Sequence, residues 1–193
     1  MSRPTENDVY NFLLQRRSAS ILHAPSPSRA ELEQILALAN TVPDHGGLKP
    51  YRFVFVEGGA RDAFGEALVN AADENRPEKL DDKVKPKIKA KAFAAPLQAI
   101  IVFSPIASEK IPEWEQMASA SCTGFALTLG ANALGYGAVW KSFAYDPGSA
   151  LKTLCALQPH ERILGWVNMG TDQDRDRSAR VPLDLRKHAT FLN

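Results

Sequence analysis

Four short runs in this chain have the composition of β-strands, and helix-like stretches of very unequal length stand between them. Residues 51–57 (YRFVFVE) alternate aromatic and β-branched residues, and 98–103 (QAIIVF) are almost wholly apolar. Residues 138–142 (AVWKS) and 163–169 (ILGWVNM) complete the set. Strands interleaved with helices admit an α/β or an α+β fold, and the pattern alone does not order the strands. The 193 residues are expected to form a single domain, 1–193, with no repeat or convincing linker.

The helices announce themselves by caps and periodicity. A first helix is expected over 6–17, with Thr5 as N-cap and Val9, Phe12 and Leu13 on one apolar face. Ser28 and Glu31 form a capping-box pattern that opens a second, with Leu32, Ile35, Leu36 and Ala39 inward. It ends before Pro43, where 43–47 (PDHGG) is turn chemistry throughout. A third helix is expected over 61–75. The lysine-rich stretch 76–91 fits neither a strong helix nor a buried strand. Pro112 suits the first turn of a long helix reaching 134, with Met117, Cys122, Phe125 and Leu129 expected on its inner face. Asp146-Pro147 opens a last one through 154.

Composition removes several function classes. A formal net charge of +1 gives no general attraction to nucleic acid or an anionic membrane. The run 83–91 holds five lysines but little aromatic interleaving, so a solvated segment is favoured over a nucleic-acid surface. Cys122 and Cys155 make neither a disulfide framework nor a zinc site, and both read as packing residues. The polar start, 1–6, lacks the apolar core of a signal peptide, and the apolar stretch 118–134 is interrupted by Ser119, Ser121, Thr123, Thr128 and Asn132. The expectation is a cytoplasmic protein with no membrane span. A dinucleotide fingerprint, a phosphate loop, His-Glu-x-x-His, Cys-x-x-Cys and Gly-x-Ser-x-Gly are all absent from the sequence.

Three clusters carry chemistry. Arg16-Arg17-Ser18 closes the first helix with two guanidinium groups and a hydroxyl, able to grip a phosphate; arginines there can equally serve only the helix dipole. Residues 43–50 (PDHGGLKP) present His45 and Lys49 on a glycine-softened loop. Trp140-Lys141-Ser142 ends a short strand. Each alone is an ordinary surface or packing feature.

In this order, with Ala95-Pro96 before the second strand and Trp114-Glu115 leading into the long helix, the set resembles the nitroreductase-like flavoproteins, especially their small, minimal branch. The resemblance covers the chain from about Asp8 to Gly170. It implies an α+β fold with a central, mostly antiparallel sheet flanked by helices, in a homodimer with FMN at the subunit interface. It further implies an oxidoreductase that passes hydride from NAD(P)H through FMN to small oxidised acceptors such as nitroaromatics or quinones, in two exchanges at one site. By this likeness Arg16, Arg17, Ser18, Trp140, Lys141 and Ser142 hold FMN within one subunit, and His45 and Lys49 reach it from the other. The stretch Gly130, Ala131, Asn132, Ala133, Leu134 and Gly135 matches the nicotinamide contacts. No catalytic side chain and no metal are implied, since the flavin does the chemistry.

This sequence departs from the pattern at Ser20, where many relatives carry a further arginine, and at Lys49, where a neutral amide is common. Arg180 is a candidate for the C-terminal arginine that many relatives place on the phosphate. A flavin carrier or sensor without turnover, or a specialised member acting on another substrate class, shares the same motifs.

Overall fold

The apolar run after residue 96 has no polar alternation because it becomes a strand covered on both faces. In a computed structural model of the chain, which describes residues 6–143, 145–173 and 180–192, β2 (Leu97–Phe103) is buried along its whole length. It pairs antiparallel with β1 (Tyr51–Glu57) on one side and with β4 (Arg162–Gly170) on the other. β3 (Gly137–Ser142) joins antiparallel to β4, so the order is β1-β2-β4-β3 with β3 at an edge. The four described strands are thus all antiparallel, and with helices on both faces the fold is α+β, as expected.

Two helical layers cover the sheet. On one face α3 (Ala60–Glu74) and α6 (Gly148–Leu154) pack together over Val56, Ile100, Val102, Ile163 and Trp166. On the other, α2 (Arg29–Ala39) and α5 (Glu113–Ala133) lie over Leu97, Ala99, Ile101, Val167 and Met169. The Ser28–Glu31 capping box forms, the carboxylate taking the Ser28 backbone N–H at 2.8 Å. α1 (Glu6–Gln15) stops two residues short of the expected end; Thr5 lies outside the described residues.

Two expectations are corrected. The inner face of α5 is made mostly of small and polar residues (Ser119, Ala120, Thr123, Gly124 and Ala131 are buried, with Leu127 the large one among them), whereas Phe125 is 51% exposed and Cys122 is exposed. Small residues win the inner face because α5 lies close on the sheet, as Gly124 shows: a Cβ there would stand 2.7 Å from the Trp140 ring. Similarly, Val9 and Leu13 of α1 are exposed rather than covered. The lysine-rich stretch, expected to form neither a strong helix nor a buried strand, holds a helix of five residues, α4 (Lys85–Lys89), followed by a 3₁₀ turn, Ala90–Phe93. Pro86 is tolerated in its first turn, Ile88 and Ala92 pack inward, and Lys89 pairs with Glu66 of α3 at 2.6 Å. The last described helix is α7 (Leu185–His188).

Candidate functional site

α1 ends in an arginine pair because Arg17 turns back on its own helix. Its Nη1 donates to the carbonyls of Leu14 at 2.6 Å and Arg16 at 3.0 Å, covering acceptors that a helix C-terminus leaves open. Just beyond, the Ala19 N–H donates to the Ala138 carbonyl at 3.1 Å, which lays the chain against the outer edge of β3. The 16–18 segment is thereby set beside the turn from α5 into β3.

That turn is rigid. Gly135, at φ +86°, ends α5 in the left-handed region, and the Tyr136 N–H returns to the Ala131 carbonyl at 2.9 Å. Asn132 Nδ2 donates to the Tyr136 carbonyl at 2.8 Å, and Tyr136 Oη donates to Glu31 Oε2 at 3.0 Å. Between the two segments opens a cleft of about 370 Å³, lined by Phe12, Gln15, Arg16 and Arg17 on one side and Asn132, Gly135, Tyr136, Gly137 and Asp172 on the other.

The cleft lining carries charge of both signs, Arg16 and Arg17 on one side and Asp172 on the other. Arg180 of the C-terminal segment donates to the Arg16 carbonyl at 2.6 Å. Burial first, and then the neighbouring Arg180 and Arg17 guanidiniums, lower the pKa of Arg16 from its ordinary value. An arginine does not give up its proton at neutral pH, so Arg16, Arg17 and Arg180 stay three cations in close company, with the Asp172 carboxylate across the cleft from the first two.

β3 adds a second polar surface. The Ala138 carbonyl faces away from β4, whereas the Phe143 N–H bonds the Leu164 carbonyl across the ladder. By strand alternation the backbone groups of Trp140 and Ser142 turn to the same open side as those of Ala138, and those of Val139 and Lys141 face β4. At about 3.4 Å per residue, Trp140 and Ser142 lie roughly 10 and 17 Å along the strand from Gly137 in the cleft. The Trp140 indole is held elsewhere, wedged between Gly124 of α5 and Gly165 of β4. Its Nε1 is buried without a partner among the described residues. Trp140 therefore offers a ligand its backbone rather than its ring. The Lys141 and Ser142 side chains are exposed.

The other expected residues divide. Of the stretch 130–135, Asn132 and Gly135 line the cleft and Ala133 is exposed, while Gly130 packs on Ile35 and Leu38 and Ala131 is wholly buried. His45 and Lys49 sit at the opposite end of α5, where His45 Nδ1 lies 2.8 Å from Glu115 Oε2. Seventeen residues of helix separate Glu115 from Asn132, about 26 Å at 1.5 Å per residue. A cleft of 370 Å³, the volume of a cube about 7 Å on a side, does not span that distance within one chain. Sequence reasoning missed Phe12, Gln15, Tyr136, Gly137 and Asp172 as cleft residues. Asp172 follows β4 without any local motif. Among the described residues, no group of three or more His, Cys, Asp or Glu is placed to hold a metal ion, and no helix is long and apolar enough to cross a membrane.

Comparison with known proteins places this architecture. The chain is 32% identical over 166 residues to YdjA of Escherichia coli K12, provisionally named an NAD(P)H nitroreductase, covering 86% of this chain and 89% of that one. The nitroreductase-like family protein of Bacillus cereus superposes with a TM-score of 0.80 at 17% identity, covering 100% of this chain and 98% of the other. The FMN-dependent nitroreductase NfnB of Mycobacterium smegmatis, in complex with NADPH, superposes with a TM-score of 0.75 at 15% identity over 98% and 100% of the two chains. The model of the nitroreductase family matches residues 13–171. From the end of α1 to the residue after β4, this chain belongs to the nitroreductase family.

Proposed function

We propose that the protein is an FMN-dependent NAD(P)H oxidoreductase that works as a homodimer and reduces small oxidised organic molecules, nitroaromatics or quinones among them. One observation carries the reading: Arg16 and Arg17 line a cleft beside β3, the edge strand of the described sheet, and Arg180 of the C-terminal segment bonds the Arg16 carbonyl there. The donor set suits a flavin mononucleotide. Arg16 and Arg17, joined by Arg180, would hold the phosphate, and charge-assisted bonds of that kind contribute about 1.5–3 kcal/mol each. The outward N–H and C=O groups of Trp140 and Ser142 would meet the polar edge of the ring, which itself alternates acceptors and a donor. Asn132 and Gly135 line the cleft that would take the phosphate, so a nicotinamide stacked on the ring would not border them.

FMN, when bound, supplies the ring that takes hydride from NAD(P)H and gives it to the acceptor. The chain's own work is position and charge. Lys141, exposed beside that edge, and Lys49 from a second copy would favour the negative charge of a reduced ring. His45 and Lys49 lie too far from the cleft to serve it within one subunit, so a second copy would bring them. The apolar faces left open on α1 (Val9, Leu13, Leu14) and on α5 (Phe125) are the surfaces such a dimer would cover.

The test is optical. The purified protein is expected to be dimeric and yellow, and its flavin to bleach anaerobically with NADH or NADPH and regain colour on adding a quinone or nitroaromatic. A colourless monomer that does not take up FMN refutes the assignment. A yellow protein that neither nucleotide bleaches is a flavin carrier or sensor instead.

A further inference from the structure

α5 is built mainly of small apolar residues, yet its first two turns carry three polar side chains that each grip a loop. Buried Gln116 takes the Ile106 N–H on Oε1 and gives its amide protons to the carbonyls of Ile106 and Ile111. Ser119 donates to the Pro43 carbonyl at 2.5 Å. Glu115 places Oε2 2.8 Å from His45 Nδ1. The first two fix backbone; Glu115, like Glu113 with Arg162 of β4, reaches a side chain.

The backbone around His45 is already held without it. Asp44 Oδ2 accepts the Lys49 N–H at 2.7 Å, closing the loop, and the Gly47 N–H returns to the Asp44 carbonyl at 3.0 Å. Lys49 is kept at φ +50°, a left-handed conformation that a lysine holds only where its surroundings impose it. What these bonds do not fix is the imidazole, whose side chain is 63% exposed. An exposed ion pair adds little to stability, but a carboxylate on one ring nitrogen decides which nitrogen is left for a ligand.

We infer that Glu115 is a positioning residue: it holds His45 with Nδ1–H donated to its carboxylate, so that Nε2 is the nitrogen turned outward toward FMN in the other subunit. This deepens the reading above and rests on it. The arrangement is the one by which a carboxylate behind a ligating histidine orients the ring in metal sites, where its loss costs about 10- to 100-fold.

The experiment measures FMN affinity by flavin fluorescence for wild type, Glu115→Ala, Glu115→Gln, His45→Ala and the Glu115→Ala/His45→Ala double variant, each first shown folded by circular dichroism. Glu115→Ala is expected to weaken binding about tenfold. Glu115→Gln keeps an acceptor for Nδ1–H and should bind within about threefold of wild type. In the His45→Ala background Glu115→Ala should change nothing further. Nitrogen NMR of the free protein should find His45 Nδ1 protonated in wild type and a mixture in Glu115→Ala. Wild-type affinity in a folded Glu115→Ala protein, or effects of the two single variants that simply multiply, overturns this inference alone. A wild type that ignores FMN overturns the cofactor reading and the inference with it.

Discussion

Glu161→Gln should cost the fold about 2–3 kcal/mol at neutral pH and almost nothing in strong acid. The Glu161 side chain is 3% exposed and takes a two-pronged ion pair from Arg52 of β1, Nε to Oε1 at 2.7 Å and Nη2 to Oε2 at 2.6 Å. The Gln158 N–H also donates to Oε2, at 2.9 Å. Arg52 Nη2 continues to the carbonyls of Cys155 and Ala156, so one side chain ties β1 to the loop between α6 and β4. The Arg52 bond above all, helped by the Gln158 N–H and opposed by burial, holds the Glu161 carboxyl down at about 2, against an ordinary 4.5. A drop of that size, at about 1.4 kcal/mol per pH unit, is worth about 3 kcal/mol. Water on the exposed side of Arg52 screens part of it, which leaves roughly 2 kcal/mol as the lower bound. A depressed carboxylate stabilises the fold fully above its unfolded pKa, and the contribution fades as pH falls from about 4.5 through about 2. Urea unfolding followed by tryptophan fluorescence, at neutral pH and near pH 2, measures the gap between wild type and variant. For a chain of this length the neutral gap corresponds to about 4–12 °C in Tm. A gap that stays constant in acid would mean that shape rather than charge holds the lock, and a gap under about 0.5 kcal/mol at neutral pH would refute the mechanism.

Arg16→Ala should weaken FMN binding about 10- to 100-fold in a fluorescence titration while leaving apo stability unchanged or slightly raised, since it relieves crowding with Arg17 and Arg180; undiminished flavin occupancy would count against the phosphate assignment. Gly124→Ala should destabilise by about 1–3 kcal/mol and shift the flavin absorption, because the new methyl meets Trp140 at 2.7 Å and Ile101 at 2.9 Å and so presses on β3; a neutral substitution would show that α5 can retreat from the sheet. Lys49→Asn should keep the fold, as asparagine tolerates φ +50°, and should lower the flavin reduction potential by removing a cation, read by redox titration. Burial pushes the Cys155 thiol up to about 11, so it stays protonated and inert to thiol reagents near pH 8; labelling of Cys155 in the native protein would contradict that burial.

The sequence by itself determined the strands, the longer helices and the order of the motifs. Caps, prolines and strand composition are local signals, and they placed β1 at 51–57 and the box at Ser28 and Glu31 where the structure has them. It also carried the family, because Arg16-Arg17-Ser18, the His45 loop and Trp140-Lys141-Ser142 are legible as motifs without coordinates. What it could not decide was direction. Hydrophobicity assigned Phe125 and Cys122 to the interior of α5, but how closely that helix lies on the sheet is a property of both partners, and the close approach selected Gly124 and its small neighbours instead. Likewise no local rule brings Arg180 or Asp172 to the end of α1, or sets His45 a full helix length away from Arg16. Those placements follow from strand order and chain path, which depend on contacts between residues far apart in sequence, and only the folded structure specifies them.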